Sequence, residues 1–380
     1  MKPTIIGYYT TRFGELWDLS LTDLLREASF GALESAGIEK TELDAVVVSN
    51  MLSGILENNL HMSSKMAEIL DLHIPMYRVE AACASGAMAV QVACQYVAAR
   101  PGSTVLVVGA EKMNDYAPEQ VSTALTAAAS GEEQESGLTF PGLYGMMARA
   151  YLEQYHFEES VLAHPSFQNH AHGALNDNAH FQRPVSLEAI SKSALVADPL
   201  RVLHSSPISD GAAAVIITSK PVKQGATIAA CEVATDSISL KHRKSLVSIE
   251  ATQIAARLAF EQAGLTPSDI HVAEVHDCFA NAQLMAMEDL GFWSTGTAGS
   301  RIVEHETMIG NGGSLIVNPS GGLKAAGHPV GATGIKQVGE IYLQLMNKAG
   351  KRQVRNAQAG LAHNVGGSGG TAVVTILVNQ

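Results

Sequence analysis

Ala32-Leu33-Glu34-Ser35-Ala36-Gly37-Ile38 and Ala259-Phe260-Glu261-Gln262-Ala263-Gly264-Leu265 are two versions of one pattern. Each is the end of a helix closed by a glycine, the residue that most easily adopts the left-handed capping conformation. Each is followed by a short polar loop and an apolar run, Leu43 to Val48 and Ile270 to Val275. A second pair matches as well: Asp210-Gly211-Ala212-Ala213-Ala214-Val215-Ile216-Ile217 against Ser368-Gly369-Gly370-Thr371-Ala372-Val373-Val374-Thr375. A third, weaker pair sets Ser85-Gly86 and its following helix against Thr333-Gly334 and its own. Three matches in the same order predict two similar halves, about residues 1–220 and 221–380.

The predicted strands, such as Thr104 to Val108 and Ala213 to Ile217, are continuous apolar runs alternating with helical patterns. Such runs suit sheets covered by helices on both faces, so the fold class is α/β. Between about residues 113 and 205 the first half carries an excursion rich in Met, Asn, His and Gln. An insertion of that length often forms a lid or a binding wall. Within it, Pro141 to Ala148 starts a helix whose methionines could line an acyl pocket or simply pack.

Composition narrows the function. Of 380 residues, 46% are apolar and 16% charged, as in a globular protein with a large core. The net charge of −12 and the lack of a long basic run argue against nucleic-acid binding. The four cysteines, at 83, 94, 231 and 278, show no C-x-x-C spacing, so neither a zinc site nor a disulfide framework is expected. A reducing, cytoplasmic setting fits. No signal-peptide pattern and no apolar stretch of membrane length is read, and Val378-Asn379-Gln380 is not a peroxisomal address.

Four segments concentrate reactive side chains. In Val79-Glu80-Ala81-Ala82-Cys83-Ala84-Ser85-Gly86 an apolar strand runs through small residues into a helix. A thiol at a helix start is favoured as thiolate and is open to a substrate, although a buried structural cysteine is the alternative. In Glu274-Val275-His276-Asp277-Cys278-Phe279 three reactive groups follow a buried strand, at the sheet edge where α/β sites form. Their adjacent spacing points them apart, which argues against a metal. Asn318 to Gly334 holds His328 between glycines and before Pro329, where it can accept a proton from a thiol. The glycines match no phosphate loop. In His363-Asn364-Val365-Gly366-Gly367-Ser368-Gly369-Gly370 bare backbone N–H groups could face an oxyanion, or the run could be only a tight entry to the last strand. Lys241-His242-Arg243-Lys244 is the one dense basic patch, either a site for an anionic thioester tail or a solvated loop.

Cys83-Ala84-Ser85, His276-Asp277-Cys278-Phe279, Gly327-His328-Pro329 and Asn364-Val365-Gly366 together resemble the four catalytic loops of thiolases, in family order and over essentially the whole chain. The chain departs from the common pattern twice. His276-Asp277-Cys278-Phe279 stands where Asn-Glu-Ala-Phe is usual, and Asn364 replaces the late catalytic cysteine. Both changes resemble sterol-carrier-type thiolases and the related archaeal and bacterial acetyl-CoA acetyltransferases.

The resemblance implies a duplicated five-layer α-β-α-β-α fold with an inserted loop domain. It implies an acyl-CoA C-acyltransferase, most simply for acetoacetyl-CoA, using coenzyme A thioesters as substrates and no further cofactor or metal. In that scheme Cys83 is acylated, His328 takes its proton, and the Cys83 amide with that of Gly366 or Gly367 holds the oxyanion. Cys278 serves as acid and base, and His276 with His328 steadies the enolate. His363, Asn364 and Met146 are further site positions, and Lys241, Arg243, Lys244 and Ser248 are positions for coenzyme A. A homodimer or homotetramer is implied. So is a complex with a zinc-ribbon/OB-fold protein and a hydroxymethylglutaryl-CoA-synthase-like enzyme, on which activity, or another acceptor, would then depend. No nucleic-acid or membrane partner is expected.

Overall fold

The computed structural model describes residues 2–379. Its main sheet has ten strands. In chain order these are β1 (Thr4–Thr10), β2 (Ala45–Ser49), β3 (Met76–Val79), β4 (Thr104–Glu111), β5 (Gly211–Thr218), β6 (Ala226–Thr235), β7 (Val272–Glu274), β8 (Ile316–Val317), β9 (Ala359–Gly366) and β10 (Thr371–Asn379). The helices that bear on the site are α1 (Leu21–Ala36), α2 (Ser85–Ala99), α3 (Phe140–Tyr155), α4 (Ala163–Gly173), α5 (Glu250–Ala263), α6 (Ala280–Asp289) and α7 (Val330–Leu345).

Across the sheet the strands run β8-β7-β9-β10-β6-β1-β5-β4-β2-β3. From the centre outwards both sides have the same order: first, fifth, fourth, second and third of their five strands. The pairing senses also agree. β2 is parallel to β3 and β4, as β7 is to β8 and β9, and the remaining pairs on each side are antiparallel. The two sides join where β1 and β6 share only two residue pairs, Thr4 with Thr227 and Ile5 with Ala226.

Helices separate the two half-sheets. α1 covers β1, β4 and β5 from outside, and α5 covers β6 and β10. α2 and α7 lie against each other in the middle and touch strands of both half-sheets, which makes five layers. The middle helices cross backbone to backbone. A Cβ on Gly86 would come within 2.8 Å of the Gly334 nitrogen, and one on Gly334 within 2.2 Å of the Ala87 nitrogen. The weak sequence match between Ser85-Gly86 and Thr333-Gly334 therefore marks one crossing point seen from its two sides. Gly37 and Gly264 close α1 and α5 in the left-handed conformation, with φ of 66° and 69°.

One expectation is corrected. Ala82–Ala99 is by length and composition apolar enough to cross a membrane, with a mean hydropathy of 1.3. Its apolar character has another use in this fold, because a helix sandwiched between layers must be apolar on more than one face. Ala87, Ala89, Val90, Ala93 and Val97 are buried in it.

The segment between β4 and β5 is mostly helical and packs on the second half of the chain: α3 and α4 both contact α6. It forms a wall of the site.

Candidate active site

After β3 the chain turns sharply through Ala82, which has a φ of 50°. That is an unfavourable region for a residue with a Cβ, and a local lock holds it. The Ser85 hydroxyl accepts from the Ala81 N–H at 2.9 Å and donates to the Ala82 carbonyl at 2.6 Å. This turn sets Cys83 two residues ahead of α2. The Gly367 N–H and the residue's own N–H both favour the thiolate, but burial outweighs them and pushes the Cys83 thiol up to about 12. The helix start by itself favours thiolate, but burial tips the balance towards thiol, which fits a Cys83 whose proton a base must take.

His328 has the right protonation pattern to be that base. Its Nδ1 lies 2.7 Å from the Thr333 hydroxyl, which already donates its single hydrogen to the Pro329 carbonyl at 2.8 Å. The hydroxyl must therefore accept from His328, so Nδ1 carries the proton and Nε2 keeps a free lone pair. Nε2 is buried with no hydrogen-bond partner among the described residues. Burial lowers the ring to about 3, so it rests neutral.

His276 is arranged the opposite way. Its Nδ1 lies 3.1 Å from the Asn364 amide nitrogen. The amide orientation follows from its oxygen, which accepts from the Ala87 N–H at 3.4 Å. Asn364 therefore donates to Nδ1, and the proton of His276 sits on Nε2. That N–H is also buried and has no partner among the described residues. Burial, with His328 and His363 nearby, holds His276 well below its usual range.

Asp277 anchors this loop to the glycine-rich run. Its carboxylate accepts from the N–H groups of Leu323 at 2.6 Å and Lys324 at 3.1 Å, and from the Asn169 amide at 2.6 Å. Gly322, with a φ of 60°, leaves the room, since a Cβ there would lie 2.5 Å from Asp277 Oδ2. With Asp277 turned back into the protein, its neighbours His276 and Cys278 are delivered to the site.

Cys83, Cys278 and His328 line one cavity of about 190 Å³, with Phe140, Tyr144, Phe279 and Gly367 among its walls. The Cys83 sulfur and one nitrogen each of His276 and His328 all lie within 4.8 Å of one another. Such a donor set could also hold a metal ion. The tautomers fit proton traffic better, because a metal would need a lone pair where His276 carries its hydrogen. Burial pushes the Cys278 thiol up, with the nearby Cys83 and Asp277 adding to the shift.

The other positions read from the sequence fall outside this cavity, Gly367 excepted. Gly367 lines it, whereas Gly366 backs onto the Ala81 carbonyl, 2.4 Å from where its Cβ would be. His363 points away from Asn364, as neighbours on a strand do. It bonds Thr252 at 2.9 Å under α5, so it is no part of the cavity. Met146 is 42% exposed and lines a separate cavity of about 490 Å³ with Lys241 and Arg243. Lys241 pairs with Glu132, and Lys244 with Glu250. Arg243 braces the glycine loop through the Ser368 carbonyl and hydroxyl. Ser248 is half-buried.

Two family models match the chain. The thiolase N-terminal domain covers residues 4–221, and the thiolase C-terminal domain-like model covers residues 233–379. The chain belongs to the thiolase family. This thiolase is 45% identical over 378 residues to the acetyl-CoA acetyltransferase of Methanothermobacter thermautotrophicus, covering 98% of each chain. It is 43% identical over 390 residues to that of Methanocaldococcus jannaschii, covering 99% of this chain and 98% of the other. To human sterol carrier protein 2 it is 33% identical over 397 residues, covering 98% of this chain and 71% of that protein. Likeness of this degree over the whole length makes it an acyltransferase enzyme of the thiolase type. Solved structures share its fold. An Ltp2-ChsH2(DUF35) aldolase aligns with a TM-score of 0.84 at 21% identity, over 98% of this chain and 97% of that one. Human mitochondrial 3-ketoacyl-CoA thiolase in complex with CoA aligns with a TM-score of 0.75 at 17% identity, over 100% and 98%.

Two residues of this thiolase's site had no assigned role in the sequence. Thr333 lay within the glycine-rich run, but only the folded helix shows its hydroxyl under His328. Tyr144 lies in the Pro141 to Ala148 segment, two residues before Met146 and so on another face of α3. Its hydroxyl donates to the Gly367 carbonyl at 3.1 Å and its ring stacks on Phe279 at 4.6 Å.

Proposed function

We propose that this thiolase interconverts acetoacetyl-CoA plus CoA with two molecules of acetyl-CoA through a covalent intermediate on Cys83. In the thiolysis direction His328 Nε2 takes the Cys83 proton, and the sulfur attacks the 3-oxo carbon. The N–H groups of Cys83 and Gly367 face the alkoxide that forms there. Collapse breaks the carbon–carbon bond and leaves an acetyl group on Cys83. The departing enolate keeps its oxygen against the His276 Nε2–H and takes a proton from the Cys278 thiol, giving acetyl-CoA. The Cys278 thiolate next removes the proton of CoA, whose sulfur attacks the acetyl-enzyme. The Cys83 thiolate is released and regains its proton from His328.

The observation that carries this reading is the second thiol in the cavity of the first. Acyl transfer between thiols needs one nucleophile and one base, whereas protonating a carbon needs a further acid. Burial keeps Cys278 protonated at rest, as that acid must be. The cavity of about 190 Å³ also favours a short acyl group, being smaller than the several hundred Å³ of sites for drug-sized ligands.

Mass spectrometry and deuterium exchange test the assignment together. With acetoacetyl-CoA, Cys83→Ala should gain no acetyl group, while Cys278→Ala should still be acetylated yet fail to exchange the α-protons of acetyl-CoA. An acetyl adduct at the site in the first variant, or exchange at the wild-type rate in the second, would overturn these roles.

A further inference from the structure

A second cavity, of about 530 Å³, lies beside the segment that leads into His328. Arg12, His170, His180, Phe181 and Arg183 line it. None of these residues lines the thiol cavity. Its rim is cationic: Arg12 and Arg183 are exposed, and neither guanidinium has an ion-pair or hydrogen-bond partner among the described residues. Glu15 lies within electrostatic reach of His180 but pairs with neither arginine.

The interior adds an independent sign of a ligand. His170 is only 3% exposed, and among the described residues neither of its ring nitrogens has a hydrogen-bond partner of normal geometry, although the Arg183 carbonyl stands nearby. A buried imidazole without partners is costly unless something else satisfies it. Aromatic surface completes the wall. The Phe181 ring packs against those of His170 and His180, with centroids 5.7 Å and 4.5 Å away.

We propose that this cavity binds a nucleotide, its phosphoryl groups held by Arg12 and Arg183 with His170 and its base laid on the aromatic wall. Guanidinium groups recognise phosphate through paired charge-assisted hydrogen bonds, and a planar base suits a stack of flat rings. The volume lies in the range of small-ligand sites. The cavity backs directly on the catalytic loop. The Phe181 N–H donates to the Ala325 carbonyl at 2.9 Å and the His180 N–H to the Ala326 carbonyl at 3.1 Å. Ser209 meets His180 Nδ1 at 2.9 Å and accepts from the His328 N–H at 3.2 Å.

Isothermal titration of the whole enzyme with ADP, inorganic phosphate and adenosine tests the proposal, using wild type and the Arg12→Ala/Arg183→Ala double variant. Both substitutions are at exposed positions, and unchanged thiolysis of acetoacetyl-CoA would show that the variant is folded. ADP should bind the wild type at one site per chain and at least about tenfold more weakly to the double variant, the loss expected for even one charge-assisted contact. Phosphate should bind more weakly than ADP but lose affinity in the same variant. No binding of ADP at millimolar concentration, equal ADP binding to both proteins, or adenosine binding as tightly as ADP would each overturn it.

Discussion

His276 and His328 meet edge to face, their ring centroids 5.3 Å apart at an interplanar angle of 82°. They hold their protons on opposite nitrogens. One therefore offers an N–H and the other a lone pair, an assignment set by Asn364 behind the first and Thr333 behind the second. In the proposed mechanism, this pair would depend on two residues, Asn364 and Thr333, that need never touch the substrate.

Replacing Thr333 with Val removes the acceptor of the His328 Nδ1–H and keeps the shape. The lone pair of Nε2 is then no longer enforced. We expect kcat for thiolysis to fall by about ten- to a hundredfold, roughly 1.4–3 kcal/mol, with KM changed less than about twofold. Steady-state kinetics with acetoacetyl-CoA check this, and Thr333→Ser should restore most of the rate.

Asn364→Asp should reverse the tautomer of His276. A carboxylate draws the proton to Nδ1, and Nε2 then offers a lone pair where the enolate needs a donor. Losing one such donor costs about a hundred- to a thousandfold in kcat. Acetylation of Cys83 by acetyl-CoA should suffer less than α-proton exchange, and comparing the two rates separates this effect from general damage.

The thiol of Cys83 is raised to about 12 by burial, and the thiolate appears only as pH rises towards that value. Alkylation of Cys83 by iodoacetamide should therefore grow about tenfold per pH unit between pH 8 and 10, without the plateau of an ordinary thiol near 9. His328, lowered to about 3, stays neutral through this range and well below it, so acidification to pH 5.5 should not protonate the base of the free enzyme. A loss of kcat/KM centred near pH 6.5 would contradict this.

Tyr144→Ala opens the wall facing Phe279. We expect activity to shift from acetoacetyl-CoA towards longer 3-oxoacyl-CoA substrates, by about tenfold in the ratio of kcat/KM, as one or two added methylenes in a pocket allow. A ladder of chain lengths measures it. Met146→Ala, outside the cavity, should leave that ratio unchanged.

Gly334→Ala would press a methyl against the Ala87 nitrogen and the Asn364 side chain, both 2.2 Å away. Backbone cannot yield as a flexible side chain can, so the crossing of α2 and α7 must widen. The variant should lose about 1–3 kcal/mol or more in urea unfolding. It should also lose activity, because the added methyl pushes the Asn364 amide on β9 away from His276 Nδ1.

Much of this protein was legible before folding. The glycine-closed helices ending at Gly37 and Gly264 stood out because a left-handed cap leaves few choices of residue. Apolar runs showed the buried strands, since a strand covered on both faces cannot alternate. Cys83, His276, Cys278 and His328 stood out because reactive side chains sit among small residues at strand and helix ends. These are local signals, each carried within a dozen residues.

Tertiary structure decided what depends on neighbours distant in the chain. The state of the Cys83 thiol is one case: the helix start favours thiolate, but desolvation by the whole site wins. The tautomers of His276 and His328 are another, set by Asn364 across the fold and by Thr333 on the next turn of helix. Met146 was the residue of α3 read from the sequence, but the direction of α3 placed Tyr144 on the thiol cavity and Met146, 42% exposed, on a separate one. The order of residues alone determines which groups are present and the local backbone that carries them. Burial, proton position and facing are properties of the assembled layers, because each is the sum of contacts that only packing brings together.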